Sequence, residues 1–246
     1  MHREGDGNVS LLFIWDFRVK PELLRVGKDQ NPVVVIDEFT GRIGEVLGIG
    51  EALAPFPVLG HNYYPGLRRM IGPADLAASA YVERLCEAAA PFIGGAFGVD
   101  GFSLIEASFS MVTTVPSDLS LPQRAPHFDS TDPKYFALLH YLRVPAGSGT
   151  AFYRQRSTGI ERVMEANVAR FVTTAERETA LLPKDSGYIA GSDQYFEQVA
   201  AVEAVPDRLL IYQGGLLHSG IIPAGMSFST DPREGRLTAN LFVRGH

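Results

Sequence analysis

The sequence predicts an α+β chain whose strands form a double-sheet barrel, with N-terminal helices packed outside it. Two observations carry this. Helical spacing of apolar residues dominates the first hundred positions, while short alternating or β-branched runs separated by turn residues dominate from Phe102 onward. A length of 246 residues fits one domain over 1–246, with an N-terminal strand and helices in 1–100 and a strand-rich core in 101–246.

The elements follow in order. NPVVVIDEF (Asn31 to Phe39) is a short β-branched run after a turn signal and predicts a buried strand. A helix is expected from Gly41 to Ala54, stopping before Pro55 and Pro57, and a second from Pro73 with Ala77, Tyr81, Leu85 and Ala89 on one face. Between them HNYYPGLRR (His61 to Arg69) reads as a turn-rich aromatic and basic loop. Strands are then expected at Phe102 to Thr113, Lys134 to Val144 and Gly149 to Arg156. A helical insertion at about 157–200, with its helix from Glu161 to Glu178 and a loop from Lys184 to Asp193, precedes strands at Asp207 to Gly215, His218 to Pro223 and Gly235 to Arg244. An insertion of this length at a barrel mouth is either a functional lid or a surface elaboration.

Composition narrows the function classes. A hydrophobic content of 46% with 20% charged residues is that of an ordinary globular protein, which argues against disorder. The formal net charge of -6 and the dispersed basic residues argue against nucleic acid as a partner. Met1 to Gly7 is polar, and Leu11 to Trp15 is too short for the apolar part of a secretory leader; no run is long enough to span a bilayer. The lone Cys86 sits on a helical apolar side and reads as a buried structural thiol. A reducing cytoplasm and a small-molecule or peptide partner are the expectations; a homodimer is compatible with the sequence but not readable from it.

The chemistry-bearing signal is HFD (His127, Phe128, Asp129). On an extended segment, residues separated by one position point to the same side, so His127 and Asp129 can grip one ion while Phe128 faces the core. His218, from a distant strand, completes two imidazoles and one carboxylate on one face of a metal. That donor set selects ferrous iron with open positions for oxygen chemistry rather than a closed structural site. A His-x-Asp tripeptide is common by chance, and His2 with Glu4 is a similar pair in an N-terminal tail. A surface turn is the plainer account of HFD alone, as a core histidine bonded to a carbonyl is of His218.

The flanks add to these three residues. HFD, then HYL (His140 to Leu142), then GSGTAFY (Gly147 to Tyr153), then DRLLIYQGGLLHSGIIP and GRLTANLFV, occur in an order that resembles the Fe(II)/2-oxoglutarate-dependent dioxygenases, in particular their prolyl-hydroxylase-like branch. The resemblance covers Phe102 to Arg244, and similar chains form a domain family of unknown function. It implies a double-stranded β-helix (jelly-roll) barrel, Fe(II) and 2-oxoglutarate as cofactors, and hydroxylation coupled to release of succinate and carbon dioxide.

It also implies an anchor for the far carboxylate of 2-oxoglutarate. Arg236, opening the final strand, has the planar fork suited to that carboxylate. It lies further past His218 than the family usually has it, so Arg233 is the substitute. Tyr141 is expected either to add a phenol hydrogen bond or to be a core tyrosine with its hydroxyl bonded elsewhere, unless His140 is the inward-facing member of its strand. Tyr63 to Arg69 and Tyr153 to Arg156 are two aromatic and basic stretches that either receive substrate or are solvated rim. Two other readings share the barrel: a cupin-like metal oxygenase without 2-oxoglutarate, which usually has more histidine ligands, and a non-catalytic binding module.

Overall fold

The computed structural model describes residues 20–58, 63–183 and 185–246. Leu11 to Trp15, His2, Glu4, His61, Asn62 and Lys184 lie outside the described residues.

The described residues form ten strands and three α-helices, with two short 3-10 turns at Pro116–Asp118 and Leu121–Arg124: β1 (Pro21–Val26), β2 (Asn31–Ile36), α1 (Ile43–Ala52), β3 (Gly66–Met70), α2 (Leu76–Phe97), β4 (Phe102–Val112), β5 (Tyr135–Arg143), β6 (Gly149–Gln155), α3 (Val168–Thr179), β7 (Phe196–Glu203), β8 (Leu209–Gln213), β9 (His218–Ile221) and β10 (Leu237–Gly245). They form a seven-stranded sheet of order β1-β2-β8-β5-β10-β4-β3 and a three-stranded sheet of order β7-β6-β9. Every pairing is antiparallel.

Strand alternation gives the large sheet two faces with different tasks. The outer face, including Phe109, Met111, Leu138, Ile211, Ala239 and Leu241, is buried against Tyr81, Leu85, Ala89 and Ile93 of α2. Each large apolar side chain so buried contributes about 2 kcal/mol, which is why an amphipathic helix stays on this sheet. The helix continues past Pro91, which stands on its exposed face where the freed carbonyl meets water. It ends at Gly98, whose φ of 67° is the left-handed value that a C-terminal cap requires. The inner face of β2, β8 and β5 packs on the three-stranded sheet through Val33, Val35, Leu210, Tyr212, Ala137 and Phe152.

The structure is thus mixed α and β, built on antiparallel sheets, with α1 and α2 outside as expected. Several expectations are corrected. Gly66–Met70 is an edge strand and not part of a loop. Helix α3 starts at Val168, because Glu161 to Val163 pairs with residues 215–217 through Val163 N–H to the Gly215 carbonyl and Leu217 N–H to the Glu161 carbonyl. The region expected to be a helical insertion also contains β7, which pairs with β6. Cys86 is half-buried rather than buried, since it lies beside the contact stripe of α2 and not on it. Its thiol is pushed up to about 11 by burial, so it stays protonated. No helix of the described chain is long and apolar enough to cross a membrane.

Candidate metal centre

His127 and His218 face one another across an isolated antiparallel bridge, each donating its backbone N–H to the other's carbonyl at 2.9 Å. A directly opposed pair places its side chains on the same side, and the imidazole centroids are 4.3 Å apart. Two residues on, Asp129 returns to that side. Its N–H is held by the Gly214 carbonyl at 2.7 Å. The ligand atoms of His127, Asp129 and His218 all lie within 4.8 Å of one another.

The donors suit a cation. His127 Nε2 lies 3.8 Å from Asp129 Oδ1 and His218 Nε2 lies 3.7 Å from Asp129 Oδ2. Those gaps are too long for hydrogen bonds and of the size that an ion shared by the donors requires. Asp129 Oδ2 is buried without a hydrogen-bond partner among the described residues, an arrangement that costs free energy unless a cation completes it. His218 Nδ1 sits 2.8 Å from the Leu216 carbonyl, so Nδ1 carries the proton and Nε2 presents its lone pair to the site. Burial lowers His218 to about 4, partly opposed by that carbonyl bond. Loss of water around its inner edge, then the neighbouring His218, also lowers the half-exposed His127. Both rings are therefore neutral at pH 7, the form in which an imidazole can bind a metal. Burial raises Asp129 to about 6, with His127 and Arg68 pulling it down and Glu106 pushing it up.

These side chains stand at one end of a cavity of about 610 Å³ between the sheets. Arg236, at the start of β10, lines the same cavity and is buried, with Nε unpartnered among the described residues. Its guanidinium carbon lies 5.9 Å from the centroid of the Tyr141 ring. Tyr141 points to this inner side and shares a 2.7 Å hydrogen bond with Thr150, while His140 points outward to α2. Arg233 is exposed and pairs with Asp231. Phe171, Val172 and Ala175 of α3 form an apolar wall. Phe128 packs edge-on against Phe171 at 5.7 Å, between cavity and core.

The two basic stretches have different fates. Arg154 is tied to Glu161 and Glu197, and Arg156 to the Asp193 carbonyl, so that stretch is structural. Of the other, Arg69 turns outward to Asp75, but Tyr64 and Arg68 line the cavity.

Gly214 and Gly215 were not expected in the site. A Cβ on Gly214 would stand 2.6 Å from Tyr135 Cδ1 and 3.4 Å from the Cβ of Asp129; one on Gly215 would stand 2.6 Å from the Val163 carbonyl oxygen. The paired glycines after a strand were the only signal. Gly214→Ala is expected to clash with the Tyr135 ring, shift the Gly214 carbonyl that holds Asp129 and so weaken metal binding about 10- to 100-fold, with the metal-free protein still folded. An anaerobic Fe(II) titration beside a thermal melt checks both halves.

No curated protein matches this sequence. Among solved structures, the chain is similar to the non-heme alpha ketoglutarate dependent epimerase SnoN from nogalamycin biosynthesis, with 17% identity, 90% of this chain and 79% of that one covered, and a TM-score of 0.52. It is also similar to HygX from Streptomyces hygroscopicus, a structure with nickel and 2-oxoglutarate bound, with 16% identity, 88% and 84% covered, and a TM-score of 0.51. Alpha-ketoglutarate and 2-oxoglutarate are one compound, and at these identities the likeness is one of fold. A family model matches residues 17–243, nearly the whole chain. The chain belongs to that family, DUF6445, a family of unknown function.

Proposed function

We propose that this chain is a non-haem Fe(II)- and 2-oxoglutarate-dependent oxygenase, a single jelly-roll domain over 1–246 that acts on a small molecule or peptide in the reducing cytoplasm. The observation that carries the proposal is the meeting of two neutral imidazoles and one carboxylate within 4.8 Å, in the cavity that also receives the buried, unpartnered Nε of Arg236.

His127, Asp129 and His218 are the metal ligands in this reading, and their common origin on one side leaves the opposite side open to the cavity. Arg236 receives the far carboxylate of 2-oxoglutarate through charge-assisted hydrogen bonds in a site with little water. Tyr141 backs that guanidinium with its ring and, through Thr150, links the anchor to the cavity wall. The apolar face of α3 limits water over the centre. Iron and 2-oxoglutarate together supply activation of dioxygen coupled to oxidative decarboxylation to succinate and carbon dioxide, with hydroxylation as the usual outcome.

Anaerobic addition of Fe(II) and 2-oxoglutarate to the metal-free protein is expected to give a weak visible charge-transfer band, absent in His218→Ala. A wild-type protein without the band rejects the proposal. Arg236→Leu is expected to raise the 2-oxoglutarate concentration for half-maximal band intensity about 10- to 100-fold, the worth of charge-assisted hydrogen bonds, without changing Fe(II) affinity. Arg233→Leu should change neither; a loss there instead would move the anchor to Arg233.

A further inference from the structure

The inner face of the large sheet is divided. On β2, β8 and β5 it is apolar and covered by the three-stranded sheet. On β10, β4 and β3 it is polar and forms the cavity floor beyond Arg236. Cross-strand partners share a face, so the register places Arg68 beside Ser110 and Thr238, and Glu106 beside Phe242 and Ala137. Arg68 donates through one terminal nitrogen to Glu106 Oε1 at 2.7 Å and to Ser108 Oγ at 3.0 Å. A fold does not need an ion pair on an inner face, where burying charge costs as much as pairing returns.

The pair has capacity left. Arg68 Nε is buried without a partner among the described residues, and Glu106 uses one oxygen on Arg68, leaving Oε2 for another donor. The side chains are 17% and 34% exposed, so a molecule in the cavity can reach both. Both line the same cavity as His127, Asp129 and His218, which places them on a surface shared with the candidate metal centre.

Charge balance then restricts the ligand. Taken together, the positive charges of Arg68, Arg236 and Fe(II) in the cavity are balanced by the negative charges of Glu106, Asp129 and the two carboxylates of 2-oxoglutarate. Glu176 lines only the exposed mouth. An anion sets a like charge against Glu106, and a cation sets one against Arg68. A molecule carrying both charges meets an opposite partner at each end.

We propose that the primary substrate is a zwitterion of amino-acid type, its carboxylate bound by Arg68 and its ammonium by Glu106. The inference rests on the oxygenase reading only for the presence of iron and 2-oxoglutarate beside the pair. Arg68 and Glu106 determine specificity by fixing both ends of the molecule across the open side of the metal centre. The apolar wall of α3 receives its side chain.

Equilibrium dialysis with the free protein amino acids, their N-acetyl forms and their amides tests this, on metal-free protein and on anaerobic protein loaded with Fe(II) and 2-oxoglutarate. At least one free amino acid is expected to bind, with each capped form roughly 10- to 100-fold weaker. Arg68→Gln should shift the preference toward the amide, whose only charge is the ammonium. Glu106→Gln should shift it toward the N-acetyl form, whose only charge is the carboxylate.

A pair serving only to hold β3 on β4 would lower the melting temperature without reversing any preference, and that result overturns the proposal. So does failure of every free amino acid to bind, or equal binding of capped and free forms. A charge-transfer band without amino-acid binding rejects the substrate class and leaves the oxygenase reading standing. Amino-acid binding without the band does the reverse.

Discussion

Asp129→Asn is expected to lower Fe(II) affinity by more than about 100-fold, beyond what is usual for loss of a residue that merely orients a metal ligand. It is the only anion among the three donors, so the substitution removes the charge that offsets the cation while preserving shape. Two neutral imidazoles remain, and His218 keeps its bond to the Leu216 carbonyl. Succinate formation should fall to background. The metal-free variant should melt no earlier than wild type, because burial opposes the charged form of this carboxyl and the amide avoids that cost. Calorimetric Fe(II) titration with parallel melting curves checks the result. Unchanged affinity would remove Asp129 from the centre.

Much of this centre was legible in sequence because its determinants are local or alternate simply. The two-residue period puts His127 and Asp129 on one side wherever the segment is extended. His218 was legible only through its flanking strand; nothing local to either histidine says that residues 127 and 218 form a bridge. The same period orients β5, but its phase is set by tertiary partners. His140 and Tyr141 are both large and amphipathic, and only the buried partners Tyr81 and Asp207 on one side and Thr150 on the other decide which points to the inner side of the sheet.

Edge elements were harder to read. In β3, Gly66 lies so close to β4 that a Cβ would stand 1.9 Å from the Met111 carbonyl oxygen, while Tyr63, Tyr64 and Pro65 before it carry turn signals. Strand β7 alternates weakly and is mostly half-exposed, so it lacks the apolar face that marks a strand. The stretch before α3 contains good helix formers, but Glu161 is drawn into the fold by two backbone N–H groups, of Lys28 and Asp29, and by Arg154. Such long-range satisfaction of a buried carboxylate leaves no local trace. Arg68 shows the functional cost of this blindness, because a residue read as loop is an inward strand residue on the cavity floor.

Asp207→Asn is expected to destabilise the protein by about 3 kcal/mol at pH 7, within the range for removing one member of a buried charged network. Asp207 adopts a φ of 66°, which Asn tolerates as well as Asp, so the change isolates charge and hydrogen bonding from backbone strain. Oδ1 receives the Thr40 N–H at 3.0 Å, the Thr40 hydroxyl at 2.7 Å and His140 Nε2–H at 3.0 Å, and Oδ2 receives the Gly41 N–H at 2.8 Å. His140 Nδ1 in turn accepts from the Tyr81 hydroxyl at 2.7 Å, tying α2 to β5. An amide turns one acceptor into a donor facing other donors. Burial alone would raise the Asp207 carboxyl, but the bonds from His140 and Thr40 outweigh it and hold the carboxyl below its ordinary value. A depressed carboxylate contributes stability above its unfolded pKa of about 3.9 and loses it as pH falls through the folded value. The gap between wild type and variant should therefore be full at neutral pH and narrow below about pH 4, as read by urea unfolding across that range. A gap independent of pH would mean that shape, not charge, is what Asp207 contributes. Because this clamp holds His140 outward and so Tyr141 inward beneath Arg236, the variant should also bind 2-oxoglutarate more weakly while its Fe(II) affinity is kept.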